Sequence, residues 1–461
     1  MRLLTALALA FLLVHTVHAQ SPVGDWSGGL NVGGPEPLRF VLHVAEAGDS
    51  LATTLDIPQQ GAFGLPATTT TFRNDSLLVT YVEVGARIDM AVEADSLRGV
   101  FTQGPNSLPM VMGRAAPLRR PQTPEGPFPY ASEDVAVEAA PGVTLAGTFV
   151  RPAGPGPFPA VLLLSGSGAQ DRDEALFGHR PFAVLADHLA RAGVASLRLD
   201  DRGTGASTGD YDAATVDDLT ADARASLAVL AATPGVSGVG VVGHSLGGLI
   251  APRLAPEASF VVMLAAPAVR GADILVVQNE GLARSMEIDS TAARAFGQAV
   301  GAMLAPLLAT PAAPDSVLQA AMEAAFNRGL AEVPTAARSR LGLTGGGYAA
   351  QRARIVRGIL TPGMRSFLLV DPVPALRALS VPALALYGGL DTQVPVNLNV
   401  PPMQAALAGH AGSEVVVVAG KNHLFQMATT GAASEYGQIE ETMSPEVLDA
   451  VTAWILRTAG R

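Results

Sequence analysis

The chain has 461 residues, 49% of them hydrophobic and 15% charged, which excludes a disordered polymer and is ample for a sizeable core. Lys and Arg number 30 against 41 Asp and Glu, for a formal charge of −11. No basic patch is evident, so neither nucleic acid nor an anionic membrane is an expected partner. Cysteine is absent, which excludes disulfides, a thiol nucleophile and cysteine-ligated zinc.

Arg2 precedes an apolar run, Leu3 to Val14. At about 12 residues the run is too short to span a bilayer as a helix. Val17 and Ala19 suit signal-peptidase cleavage after Ala19. Residues 1–19 are therefore expected to be an export leader. The mature protein is expected to be periplasmic or secreted, without stable membrane insertion, since later apolar runs are short and interrupted.

Residues 20–115 follow a period of two: Leu38, Phe40, Leu42 and Val44 alternate with Arg39, Val41 and His43. Further short runs, separated by turn signals such as Asn74-Asp75, predict a small antiparallel β domain, curled or sandwiched. Its role is open between a packing or pocket-rim module and a ligand-binding one. Residues 116–130 are Pro-rich and read as a linker.

Beyond it, in residues 131–461, strand-length apolar runs alternate with helical segments. The runs are Ala160–Leu164, Ala195–Leu199, Val239–Val242, Phe260–Leu264, Ala383–Tyr387 and Val415–Val418. That grammar predicts an α/β fold with a mostly parallel central sheet buried on both faces. Thr215 caps a predicted helix with Asp217 and Asp218 in its first turn and a Leu219, Ala223, Leu227 stripe. Over a hundred Ala-rich residues separate Leu264 from Ala383 and must carry their own structure, so a helical cap insert is expected at about 270–375.

The pattern Gly-x-Ser-x-Gly occurs twice, at Gly205–Gly209 and at Gly243–Gly247. A nucleophile elbow needs a strand entering a sharp turn and a helix leaving it, with glycines where backbones approach. Val239–Val242 runs directly into Gly243, whereas Ser207 lies several residues past its strand, in loop-like sequence. Ser245 is therefore the candidate nucleophile. Its base follows later in the chain, at His410 or His423. His423, just past a strand, is favoured over His410 at a helix end. Asp391, just past Ala383–Tyr387, is the candidate acid; Asp371-Pro372 reads as a turn. An oxyanion needs N–H donors. Leu246 supplies one, and the loop Ser165-Gly166-Ser167-Gly168 the other, placed at Ser167 with Gly168 as neighbour. Gly168, His179 and His244 are candidate pocket residues. The run Asp171-Arg172-Asp173-Glu174 reads as a self-paired network holding that loop, and Asp200-Asp201-Arg202-Gly203 as structural loop packing. No metal site and no cofactor is expected.

Residues from about 130 to 461 resemble the bacterial serine-aminopeptidase-like hydrolases of the α/β-hydrolase superfamily, whose members include carboxylesterases. The carrying segments are Ser165–Asp173, Gly178–Phe182, Asp200–Gly205, Gly243–Gly248, Asp391–Pro395 and Asn422-His423, in the family's order. The chain departs from many members in carrying Ser165-Gly166 where they carry His-Gly. The resemblance implies an α/β-hydrolase fold and a Ser245, Asp391, His423 triad. Together with the leader it gives an exported, cofactor-free hydrolase, and the resemblance implies a small-molecule ester of short-to-medium acyl length as substrate. Met286, Met303, Met322 and Met364 are candidate linings of an acyl pocket. Rival readings are a peptidase, with Glu280 or Glu287 receiving a substrate ammonium, an acyltransferase, and a non-catalytic binding protein on the same scaffold.

Overall fold

The structure, a computed structural model, describes residues 21–32, 37–57, 62–115, 119–345 and 348–460. The expected leader lies outside them. The chain divides into two compact units between residues 118 and 119.

The first unit holds β1 (Gly24–Leu30), β2 (Leu38–Ala47), β3 (Ser50–Ile57), β4 (Ala62–Pro66), β5 (Thr69–Arg73), β6 (Ser76–Tyr81), β7 (Ala86–Glu93), β8 (Ser96–Gln103) and β9 (Asn106–Arg114). They form one sheet in the order β4-β3-β2-β1-β9-β8-β7-β6-β5, with antiparallel neighbours throughout. The sheet curls into a half-barrel. Period-two alternation turns Phe40, Leu42 and Val44 of β2 and Leu77, Val79 and Tyr81 of β6 inward, onto Trp26, Ile88 and Met112.

The second unit is built on β10 (Ala131–Ala140), β11 (Val143–Arg151), β12 (Phe158–Leu164), β13 (Ala195–Leu199), β14 (Val236–His244), β15 (Val261–Leu264), β16 (Ala383–Gly388) and β17 (Glu414–Val418). Their order is β10-β11-β13-β12-β14-β15-β16-β17. The β10–β11 and β11–β13 pairs are antiparallel; the pairs from β13 across to β17 are parallel. Helix α1 (Pro181–Arg191) covers one face, where Phe182 and Leu185 pack on Val161, Val242 and Val262. Helix α2 (Val216–Ala232) covers the other, with Ala223 and Leu227 on Leu162, Val241 and Met263. Its start is a reciprocal capping box: the Thr215 hydroxyl accepts from Asp218 N at 3.2 Å, and the Asp218 carboxylate accepts from Thr215 N at 2.8 Å.

The strand order reverses at β12. The chain goes out to β13 on one side and returns to β14 on the other, and ligand crevices of α/β sheets open at such a switch point. Leu164 at the end of β12 lies in register with Gly243 of β14, so the loops leaving these strands emerge side by side. Helix α3 (Leu246–Ile250) follows β14 directly.

Between β15 and β16 the chain forms a cap of α4 (Gly271–Ser285), α5 (Ser290–Ala309), α6 (Asp315–Leu330), α7 (Thr335–Arg340), α8 (Tyr348–Ile359), α9 (Pro362–Leu369) and α10 (Val373–Arg377). The cap has its own core, including Phe296, Met303, Leu307, Met322 and Phe326. Against the expectation that the later apolar runs are too short and interrupted, α5 is by length and composition apolar enough to cross a membrane; half of it is buried within the protein. Helices α11 (Val396–Leu407), α12 (Ala433–Tyr436) and α13 (Pro445–Ala459) complete the unit.

Of the expected linker, the described part from residue 119 is fastened down. Arg120 Nη2 donates to the carbonyls of Phe177 and Gly437, both at 2.8 Å, and Gln122 Nε2 donates to Met443 O at 2.7 Å. A guanidinium fork that meets several carbonyls fixes a segment that Pro content alone suggests to be loose.

Candidate active site

The turn after β14 is strained. Ser245 has φ 52° and ψ −113°, in the left-handed region that a side chain rarely adopts. Its N–H donates to Leu264 O at 2.8 Å, and its carbonyl accepts from Leu249 N at 3.1 Å. Gly243 and Gly247 make room for the turn: a Cβ on Gly243 would strike the Gly247 carbonyl, and one on Gly247 would strike the Leu164 carbonyl. The turn therefore presents the Ser245 side chain at the end of the sheet.

Asp391 lies past β16 and His423 past β17, on the neighbouring parallel strand. His423 Nδ1 is 2.8 Å from Asp391 Oδ2, and both side chains are buried. The other carboxylate oxygen accepts from Gln393 N and Val394 N, each at 2.8 Å. These bonds hold the carboxylate fixed. With Nδ1 donating to it, the tautomer leaves Nε2 as the basic nitrogen. Among the described residues the Ser245 hydroxyl makes no hydrogen bond, to His423 or to any other group. Catalytic hydrogen bonds are often long before a substrate is present.

Ser245, Leu246 and Ser167 line one cavity of about 370 Å³. Among the described residues no acceptor takes the N–H of Ser167 or of Leu246. The Gly168 N–H donates to the Tyr211 hydroxyl at 3.0 Å, so Gly168 borders the cavity with its donor already engaged. Burial pushes the Tyr211 phenol up to about 12, which keeps it neutral.

His179 and His244 do not line the cavity. His179 is fully buried in a polar network, within 3.0 Å of Thr442 Oγ1, Tyr436 O and Gln426 Nε2. Burial, helped by the nearby Arg120 charge, lowers its pKa to about 4 and leaves it neutral. His244 ends β14, and its buried ring lies beside that of His423, with centroids 4.8 Å apart. Its Nδ1 is 2.7 Å from Glu174 Oε1 and its Nε2 is 3.0 Å from His423 O. Both ring nitrogens thus face acceptors. Burial opposes the charge, yet the Glu174 carboxylate and the His423 carbonyl outweigh it and raise the pKa above the ordinary imidazole range. Glu174 Oε1 also accepts from Gly166 N at 2.6 Å. One ion pair therefore joins the Gly166 loop, the Ser245 turn and the His423 loop, a constellation that the sequence reading missed.

The expected self-pairing of Asp171-Arg172-Asp173-Glu174 does not form, since neighbours in a tight loop diverge. Arg172 forks onto Asp200 with bonds of 3.0 and 2.8 Å, Asp173 meets Arg198 at 2.7 Å, and Asp171 Oδ1 accepts from Asp173 N and Ala175 N. Ser165 Oγ donates to Asp201 at 3.3 Å, and Asp201 Oδ2 accepts from Gln170 N at 2.9 Å. Burial pushes the Asp201 carboxyl up to about 7. Arg202 forks onto Asp222 with two bonds of 2.7 Å. Asp371 accepts from Val373 N at 3.0 Å and lies 3.7 Å from Arg270, in the turn before α10. His410 follows α11, away from the cavity lining.

Leu219, Ile274, Leu275, Met364 and Phe367 make the cavity walls apolar, with the last four coming from the cap. Met303 and Met322 are instead buried in the cap's own core, and Met286 is exposed at its surface. Glu280 pairs with Arg284, and neither Glu280 nor Glu287 reaches the cavity. Among the described residues that line it, the acidic one is Asp212, at an exposed position. Among the described residues no group of three or more metal-ligating side chains is present.

The strand order and the elbow give the second unit the α/β-hydrolase fold. Residues 180–295 match the sequence model of the family described as serine aminopeptidase, S33. The chain is a homologue of esterase EstD of Thermotoga maritima, 34% identical over 169 residues. That match spans 35% of this chain and 40% of EstD, less than half of the relative's length. Among solved structures, esterase Pf2001 of Pyrococcus furiosus covers 72% of this chain and 94% of its own, at 16% identity and a TM-score of 0.42. Est1E of Butyrivibrio proteoclasticus covers 71% and 99%, at 14% identity and a TM-score of 0.39.

Proposed function

We propose that the chain is a serine hydrolase that cleaves carboxylic esters of short-to-medium acyl length through an acyl-enzyme on Ser245. The observation that carries this reading is the strained Ser245 turn opening on the same cavity as the unengaged Ser167 and Leu246 N–H groups. His423 Nε2 takes the Ser245 proton as Oγ attacks the ester carbonyl carbon. The carbonyl oxygen becomes an oxyanion and accepts from Ser167 N and Leu246 N. The C–O bond to the alcohol then breaks, and His423 returns the proton to the leaving oxygen. Water, deprotonated by the same nitrogen, attacks the acyl carbon; the acid departs and Ser245 regains its proton. Asp391 holds the imidazole in place and balances its charge while it is protonated. The esterase homologue and the apolar walls support an ester over a charged peptide.

Turnover of nitrophenyl esters of graded acyl length, set against amino-acid anilides, tests the reading. Ester turnover is expected to dominate, and anilide turnover exceeding it would end the proposal. Aminopeptidase action is the second reading, favoured by Asp212 at the cavity, which is positioned to receive a substrate ammonium. We also propose export, on the leader-like residues 1–19. N-terminal sequencing of the mature protein should begin at Gln20.

A further inference from the structure

The half-barrel encloses a second cavity, of about 250 Å³, remote in sequence from every residue of the hydrolase site. Leu30, Phe40, Leu55, Ile57, Ala86 and Phe101 are among its walls, and no charged side chain is among the described residues that line it. Val32 and Val84, which also line it, are exposed and mark its open side. Two polar side chains take part. The Gln103 amide nitrogen donates to Val84 O at 3.1 Å. Tyr81 is 5% exposed, and its buried hydroxyl meets no hydrogen-bond partner among the described residues. A buried phenol without a partner is costly, and proteins retain such groups where a ligand or water completes them.

Volume and charge select the occupant. An apolar cavity of roughly 150 Å³ takes up benzene. A charged head group would be buried without a counter-ion from the described walls, which hold no cation, and Asp56 acts on Tyr81 with negative charge. We propose that this unit binds a neutral aliphatic molecule of roughly ten heavy atoms, a medium-chain alcohol or ester, with the Tyr81 hydroxyl bonding its single oxygen function. The mouths of β-barrels are a recurrent place for such pockets. The site is independent of the hydrolase reading and stands whether or not Ser245 is a nucleophile.

The test uses the full chain carrying Ser245→Ala, titrated with 1-nonanol and with nonanoate while methionine methyl resonances are followed by NMR. Met90, Met110 and Met112 report on the half-barrel core, and Met364 reports on the hydrolase cavity. Saturable shifts of the half-barrel methionines with 1-nonanol are expected, with nonanoate at least tenfold weaker. Tyr81→Phe, which keeps the ring, is expected to weaken 1-nonanol about fivefold, the worth of one hydrogen bond. Shifts confined to Met364, or nonanoate binding as tightly as the alcohol, would overturn the proposal.

Discussion

The same five-residue pattern occurs at Gly205–Gly209 and at Gly243–Gly247, and the two serines are used in opposite ways. Ser207 is buried with its hydroxyl doubly engaged, donating to Asp200 O and accepting from Ala146 N, both at 2.8 Å. Ser245 makes no side-chain hydrogen bond among the described residues, and its backbone is held at φ 52°. The first hydroxyl ties a loop to a strand; the second is left available. What separates them is the preceding residue pattern: β14 runs straight into Gly243, whereas β13 ends well before Gly205. A motif acquires its chemistry from the element that delivers it.

Exchanging the two serines for alanine gives the sharpest contrast. Ser245→Ala is expected to lower ester kcat by at least about 10⁴-fold with little change in stability. Ser207→Ala is expected to leave kcat within about twofold but to cost about 1–3 kcal/mol, because Ala146 N–H loses its buried acceptor. Steady-state kinetics alongside urea unfolding checks both, and a dead Ser207→Ala enzyme that melts normally would break the comparison. Asp391→Asn comes next, with kcat expected to fall about 10³- to 10⁴-fold through loss of the imidazole's tautomer and orientation.

Glu174→Gln probes how the Ser245 turn is supported. It leaves His244 buried beside a neutral amide, and is expected to cost about 3 kcal/mol and to lower kcat roughly tenfold. His244 has a raised folded-state pKa, so the pair's contribution is complete below the ordinary imidazole value and is lost as pH rises through the raised one. The variant's deficit in Tm should accordingly be largest in acid and shrink in alkali. The smallest effect is expected at Asp201→Asn. Because the folded carboxyl titrates near 7, the native protein loses stability as pH rises from the ordinary carboxyl range towards that value. The asparagine should match the wild type near pH 4 and gain about 1 kcal/mol above pH 8, read from paired melts.

The positions of Ser245, Asp391 and His423 are legible in the sequence because each stands a few residues past an apolar, strand-length run. Parallel strands bring such ends to one edge of a sheet. Glu174 and His244 are not legible as a pair. They lie 70 residues apart, and their meeting depends on how the Glu174 loop folds back over the end of β14. His179 fails as a pocket residue for a related reason: its neighbours in sequence border the site, while its ring turns into the network around Thr442. The methionines divide in the same manner. Helical periodicity marks Met303 and Met322 as apolar, but whether an apolar helix face meets the cap's own interior or the cavity depends on the helix opposite. In the first unit the alternation shows a sheet, while the hollow beside Tyr81 arises from its curl.

The cap enters after one strand and leaves before the next, yet it is packed around a nucleus of its own. On the proposed reading, Met364 and Phe367 can therefore be remodelled as a mould for other substrate shapes while Asp391 and His423, rooted past neighbouring strands of the sheet, keep their mutual register. Such a layout would let substrate shape change while the proposed chemistry stays fixed, an interchangeable lid over a permanent hearth.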